Sequence, residues 1–261
     1  MSKAVLIIGH GSRLMYNKST MEKQADVLRD MGYDNIYIGF NETSLPTIRD
    51  SMQDMAMDGV DEVVALPFFI ASGLHMTRDI PPKLGLEDGM TENTVNVDGH
   101  DIKVHFETPF GEDPNLTDIL VEKTVELADP GKKVGVMIMG HGSRLEYNSQ
   151  IMELNAARLR ERGYKDVYIG YNEFNHPRVE ETVEKMKADG MEEIVALPLF
   201  IASGAHLSRD IPEKLGIPIM CDDHTVDYHG REVRIKYAQP VGGDPRLCKV
   251  LDKKIRKYFG E

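Results

Sequence analysis

Residues 1–131 and 132–261 are two copies of one sequence. GHGSRLMYN (Gly9–Asn17) returns as GHGSRLEYN (Gly140–Asn148), and ALPFFIASGLHMTRDIPPKLG (Ala65–Gly85) returns as ALPLFIASGAHLSRDIPEKLG (Ala196–Gly216). The same offset of 131 carries PFGEDPNL (Pro109–Leu116) onto PVGGDPRL (Pro240–Leu247), with no gap between. A duplication that fills the chain implies two similar lobes, 1–131 and 132–261, each of ordinary domain size. It also supplies an internal control, because polar residues kept in both copies are separable from those one copy has lost.

Within one copy the apolar pattern predicts alternating strands and helices. Lys3–Ile8 is a short, partly β-branched apolar run, as expected of a strand buried on both faces. Met21, Ala25 and Leu28 then recur at helical spacing before Gly32, as do Met152, Ala156 and Leu159 before Gly163. Asn35–Phe40 and Asp166–Tyr171 read as second strands, and Glu62–Leu66 and Glu193–Leu197 as third strands. Pro46 and Pro177 are suited to open the intervening helix, which stops near Gly59 and Gly190. This order predicts an α/β fold, doubly wound, with a parallel sheet flanked by helices in each lobe. Asp98-Gly99 marks a hairpin, Asp113 and Asp244 are expected as N-caps of a last helix, and Ala128–Lys133 as the junction.

Composition narrows the partners. A formal charge of -12 argues against nucleic acid or an anionic membrane as the main partner. No apolar run approaches the roughly 18 residues of a membrane span, and MSKAVLIIGHGS turns polar too soon for a signal peptide. Cys221 and Cys248 fall opposite Met90 and Thr117, so neither a disulfide nor a paired metal role is expected, which fits a reducing cytoplasm.

The internal control sorts the nine histidines. His10 maps to His141 and His75 to His206, whereas His100, His105, His176, His224 and His229 have no counterpart and read as solvated loop or hairpin residues. His10 follows the first strand and His75 leaves the third, while Glu42, retained as Glu173, follows the second. All three lie beyond the carboxyl ends of adjacent parallel strands, where open α/β sheets place ligands. Two imidazoles and a carboxylate suit divalent Co, Ni, Fe or Zn. A lone histidine beside glycine is more often part of a tight turn; retention of the whole set in both copies favours metal or catalytic use. The P-loop pattern and the GxSxG elbow are both absent, which sets phosphoryl transfer and serine hydrolysis aside.

GHGSR after the first strand, glutamate after the second and F-x-x-x-G-x-H-x-x-x-D-I-P after the third (Phe69–Pro81 and Phe200–Pro212) resemble the short sirohydrochlorin cobaltochelatases. These are class II, ATP-independent tetrapyrrole chelatases about one repeat long that act as homodimers. The resemblance covers nearly all of each copy and implies a dimer fused into one chain, a monomeric pseudo-dimer. The two lobes would be related by a pseudo-two-fold, with a cleft between them. It implies His10, His75, His141 and His206 as catalytic and metal-binding residues, with Glu42 and Glu173 assisting the metal. No histidine-rich or cysteine-rich tail is present, so no cofactor is expected beyond the substrate metal, Co2+ or Ni2+.

The residue types fit that chemistry. A free-base tetrapyrrole must lose two pyrrolic protons as a divalent metal enters, and imidazoles can both hold such a metal loosely and accept protons. The ring's carboxylates need donors, for which Ser12, Arg13 and Arg78, with Ser143, Arg144 and Arg209, are candidates. Asp79 and Asp210, before Ile-Pro, are expected as helix-start caps. Two other readings stay open: a non-catalytic metal chaperone or sensor using the same histidines, and a chelatase that inserts iron.

Overall fold

The computed structural model describes residues 1–11, 16–202, 204 and 206–260, the side chain of His206 excepted. The first copy runs β1 (Lys3–Gly9), α1 (Tyr16–Asp30), β2 (Ile36–Phe40), α2 (Ile48–Met57), β3 (Glu62–Pro67), β4 (Glu92–Val97), β5 (His100–Phe106), α3 (Pro114–Leu127). The second runs β6 (Val134–Gly140), α4 (Tyr147–Glu161), β7 (Val167–Tyr171), α5 (Val179–Ala188), β8 (Glu193–Pro198), α6 (Ile211–Leu215), β9 (Asp223–Tyr228), β10 (Arg231–Tyr237), α7 (Leu247–Phe259).

Each copy forms a five-stranded sheet, ordered β2-β1-β3-β5-β4 and β7-β6-β8-β10-β9. Four strands run parallel, as the alternating pattern requires, and β4 and β9 are antiparallel edges. The predicted hairpin thus does more than decorate the lobe, because its second strand joins β3 or β8 and widens the sheet. Asp98 and Gly99 both have positive φ, 50° and 90°, which matches the right-handed twist of the flanking strands. His229 and Gly230 repeat that turn at 54° and 80°.

Strand β1 is buried on both faces because both are covered. Ala4, Leu6 and Ile8 pack with Ile48, Met52 and Met55 of α2, and the alternating Val5 and Ile7 point the other way. Helix α2 opens at Thr47 and not at Pro46. The Thr47 hydroxyl accepts from Asp50 N at 3.2 Å, and the Asp50 carboxylate accepts from Thr47 N at 2.8 Å. Pro46 lies one residue earlier, its carbonyl accepting from Phe40 N at 2.9 Å at the end of β2.

The compact units do not follow the repeat boundary at 131. One comprises Met1–Gly111 with Pro245–Glu261, and the other Glu112–Asp244. Helix α7 therefore packs on α1 and β3, and α3 on α4 and β8. Thr117 Oγ1 donates to Asn155 Oδ1 at 2.8 Å in the second unit, and Tyr33 Oη donates to Asp252 Oδ1 at 2.7 Å in the first. Either copy's last helix carries an apolar stripe able to cover a sheet, so duplication permits the exchange. Asp113 caps α3 through Asn115 N at 2.9 Å, as expected. The Asp244 carboxylate meets the buried Lys123 ammonium at 2.8 Å, and α7 starts after Arg246. Burial pushes the Cys248 thiol up to about 12, with Asp252 adding to it, so this cysteine is an inert core residue.

One unmatched histidine departs from the solvated reading. His105 is 2% exposed. Its Nε2 lies 2.9 Å from Glu62 and its Nδ1 2.8 Å from Glu92, with Tyr258 stacked at 4.2 Å. The buried Glu62 on β3 calls for a basic neighbour on β5, and its duplicate Glu193 has Lys236 at 3.4 Å. No helix among the described residues is long and apolar enough to cross a membrane.

Glu107, which follows β5, carries a testable pH dependence. Burial would raise its carboxyl, but hydrogen bonds from Lys257, Tyr258 and Lys254 outweigh burial and hold it at about 2. A depressed folded-state pKa stabilises above the unfolded value of 4.5 and is lost as pH falls toward 2. Urea unfolding should therefore lose about 2 kcal/mol between pH 5 and pH 3 through this residue. The Glu107→Gln chain should lack that component. An unchanged slope between the two pH values would refute the assignment.

Candidate active site

The loop after β1 reaches the loop after β2 through backbone contacts. Asn41 N donates to Gly9 O and Glu42 N to His10 O, both at 2.8 Å, extending the β1–β2 ladder beyond the strands. Gly11 sits at φ 92°, and a Cβ there would come within 1.6 Å of Glu42 O, so only glycine permits the approach. Gly142 repeats this against Glu173 O at 1.8 Å. The next residues, Thr43 and Phe174, hold φ of 62° and 63°, a strained region for such side chains and one that recurs at functional sites.

Beyond β3, His75–Asp79 forms one π-helical turn, closed by Ile80 N donating to His75 O at 2.9 Å. Such turns recur at functional sites. This one turns His75 toward Asp79, four residues on, with Nδ1 and Oδ2 at 2.8 Å. The same turn carries His75 to His10, with ring centroids 4.5 Å apart and planes at 64°. Glu42 Oε1 lies 3.9 Å from His75 Nδ1. Glu42, His75 and Asp79 each bring a ligand atom to within 4.8 Å of the others.

Asp79 corrects a sequence expectation, since it caps no helix. Its Oδ1 accepts from Arg78 Nε at 2.9 Å while Oδ2 faces His75. The Arg78 hydrogen bond, opposed by burial and aided by His75, holds its carboxyl below the usual carboxylate range. An ionised carboxylate can only accept, so His75 Nδ1 carries the proton and Nε2 is left to bind metal. The 2.8 Å separation is a hydrogen bond; two ligands on one ion at about 2.1 Å would stand roughly 3.0–3.4 Å apart. Asp79 is therefore an orienting partner behind the histidine. Asp210 begins α6 but likewise makes no side-chain cap, and its Oδ1 accepts from Arg209 Nε at 2.9 Å.

Behind this cluster lies a feature outside the histidine argument. Lys83 Nζ donates to Asn41 O at 2.5 Å and to Asn41 Oδ1 at 2.6 Å. Asn41 Nδ2 in turn lies 3.2 Å from His75 Nδ1. Lys214 repeats the contact on Asn172 at 2.5 Å and 2.7 Å. All four residues are paired at offset 131, and that was the signal available in the sequence.

The second unit shows the same loops with a different surface. Glu173 N donates to His141 O at 2.8 Å, and His206–Asp210 forms the second π turn. Asn172, Glu173, Glu180, Asp210, Glu213 and Lys214 line a cavity of about 440 Å³. The His141 ring stands 6.3 Å from both Phe174 and Phe200, and the Arg144 guanidinium lies 5.6 Å over Phe174. Ser143 N donates to Asn175 Oδ1 at 2.6 Å, and its hydroxyl accepts from Leu145 N at 3.1 Å. Arg78 and Arg209 are exposed beside their aspartates. Ser12, Arg13 and the His206 side chain lie outside the described residues.

The sequence model of the CbiX family matches residues 4–127 and again 135–258. The chain belongs to the CbiX family. Its relatives include the sirohydrochlorin cobaltochelatase of Methanopyrus kandleri, 37% identical over an alignment of 141 positions that covers 49% of this chain and 99% of that one. That of Methanococcoides burtonii is 39% identical over 124 residues, 47% of this chain and 95% of its own. Each is thus about one repeat long, as the sequence resemblance implied for the short forms. Among solved structures, SirB from Bacillus subtilis with Fe3+ superposes at TM-score 0.74 with 17% identity, covering 98% of this chain and 95% of SirB. The cobalt complex of SirB from Bacillus subtilis subspecies spizizenii gives 0.67 with 16% identity, covering 98% and 95%. The latter two establish a shared fold.

Proposed function

We propose that this CbiX chain inserts a divalent metal, Co2+ or alternatively Ni2+, into sirohydrochlorin without ATP, in a reducing cytoplasm. The observation that carries the reading is the His10–His75 pair, 4.5 Å between rings, set beside Glu42 at the carboxyl ends of β1, β2 and β3. The metal is a substrate here, so it must be held and then released. Two imidazoles and one carboxylate suit that task, being weaker holders than thiolates.

In this reading His10, His75 Nε2 and Glu42 take up the metal, with His141, His206 and Glu173 as the duplicate set. Asp79 fixes the His75 tautomer from behind, the arrangement that orients metal-binding imidazoles in general. As the metal enters the macrocycle two pyrrolic protons must leave, and Glu42 and the histidines are the acceptors at hand. Exposed Arg78, Arg209 and Arg144 meet the substrate's carboxylates, with Ser143 and, beyond the described residues, Ser12 and Arg13 beside them.

Anaerobic incubation of the chain with sirohydrochlorin and Co2+, Ni2+ or Fe2+ tests this through the visible spectrum. Conversion with Co2+ or Ni2+ well above the protein-free rate is expected. Conversion with Fe2+ alone would move the assignment to iron. Tight stoichiometric metal binding without any ring conversion would replace the chelatase with a chaperone or sensor.

A further inference from the structure

Two side chains of opposite character face Nδ1 of His75, and only Asp79 is hydrogen-bonded to it when Nδ1 carries the proton. Asp79 can only accept a hydrogen bond, and it takes the Nδ1 proton at 2.8 Å. Asn41 could do either, since its amide has an oxygen that accepts and a nitrogen that donates. Which end faces the imidazole is decided by Lys83. An ammonium has donors alone, and at 2.6 Å from the amide oxygen it pins that oxygen away from the ring. The amide nitrogen is thereby the end left at 3.2 Å from Nδ1. The second bond of Lys83, 2.5 Å to the Asn41 carbonyl, fixes the ammonium on the same residue and leaves it little room to move.

We propose that Lys83, and Lys214 in the duplicate, are positioning residues that choose the acceptor for the metal-binding histidine. With the lysine in place the Asn41 oxygen is occupied, and the Nδ1 proton goes to the charged carboxylate of Asp79. Without it the amide is free to turn over. Its oxygen then competes with Asp79 for the same proton, and a neutral acceptor replaces a charged one in part of the population. A carboxylate behind an imidazole makes the far nitrogen a better ligand, so the competition weakens metal capture at Nε2. The inference rests on the metal-site reading above and concerns only how the histidine is presented. The lysine never touches metal or ring.

The duplicate keeps the lysine–asparagine contact. Lys214 grips Asn172 at both oxygens with nearly the same distances, 2.5 Å and 2.7 Å. The intervening sequence has changed from IPPK to IPEK, yet asparagine and lysine are both kept. Asn172 is 2% exposed and Asn41 5%, so in each unit the amide is out of bulk water and its orientation is set by protein neighbours.

The test is Co2+ titration of the full chain without tetrapyrrole, followed by the cobalt visible absorption. Lys83→Met with Lys214→Met should raise the Co2+ Kd roughly tenfold, the lower end of what loss of an outer partner does. Adding Asn41→Leu and Asn172→Leu should restore it to within about threefold of wild type, because the competing oxygen is gone. A purely structural lysine predicts the opposite, a further loss on the second change. Unchanged affinity in the lysine variant, or no recovery in the combined variant, would overturn the proposal. Should the lysine variant not fold, Asn41→Leu with Asn172→Leu alone decides: affinity within about threefold of wild type is expected, and a tenfold loss overturns it. Cobalt binding that depends on the lysines in a chain that converts no sirohydrochlorin would sink the chelatase reading and leave this one standing.

Discussion

His75→Ala combined with His206→Ala should lower the rate of metal insertion by about 10²–10⁴-fold, the range spanned by loss of a positioned acid–base group. The effect is large because Asp79, Asn41, Glu42 and His10 all converge on His75 in the first unit's cluster. It touches Asp79 at 2.8 Å, Asn41 at 3.2 Å and the His10 ring at 4.5 Å between centroids. Removing it leaves Glu42 and His10 without the second imidazole. The fold should survive, since His75 is half-exposed and packs no part of the core. A thermal melt close to wild type beside a lost spectral change is the expected pair of results. Full insertion by the double variant would remove the histidines from the reaction. The two single variants then report on each unit separately, and a chain halved by each would mean two independent sites.

How much of this could be read beforehand depends on what each residue declares. The alternation of strands and helices, the hairpin and the His10–His75–Glu42 set were legible because apolar period and offset-131 pairing report them directly. Asp79 was not, because an aspartate before Ile-Pro has the same sequence signature as a helix cap, and only the π turn shows it facing His75. Asn41 and Lys83 were kept in both copies as faithfully as the histidines. An amide and an ammonium, however, advertise no chemistry until the distance between them is known. His105 is illegible for the converse reason: nothing in its own neighbourhood in sequence shows the two carboxylates that flank its ring, one of them on β3.

The exchanged helices were illegible in principle. Buried positions of α7 (Leu247, Val250, Leu251 and Ile255) and of α3 (Leu116, Ile119 and Leu120) describe similar stripes, so pattern alone cannot say which sheet either covers. The pairing is settled by contacts far apart in sequence, such as Lys254 with Glu107 at 3.1 Å and Arg162 with Asp118 at 2.5 Å. Duplication therefore informs strongly about which residues matter and weakly about which copy of an element goes where.

Gly11→Ala with Gly142→Ala should be severely damaging for so small a substitution, and a matched pair of glycines shows why. Gly11 and Gly32 have nearly the same backbone angle, φ 92° and 99°. A methyl group at Gly32 meets nothing within 4 Å, so alanine there suffers only the left-handed conformation, about 1 kcal/mol. At Gly11 the methyl would stand 1.6 Å from Glu42 O, a backbone atom that cannot swing aside. The two loops must separate, breaking the Glu42 N–His10 O bond of 2.8 Å. Strain and overpacking together should cost about 3 kcal/mol in each unit. Separation also moves His10 and Glu42 away from His75, and displacement by about 1 Å is enough to lower a rate roughly 100-fold. The control is Gly32→Ala with Gly163→Ala, the latter also at positive φ with nothing within 4 Å. That control should insert metal at the wild-type rate with a modest fall in stability. Equal stability and equal rates for the two double variants would mean that the close approach of the loops has no part in building the site.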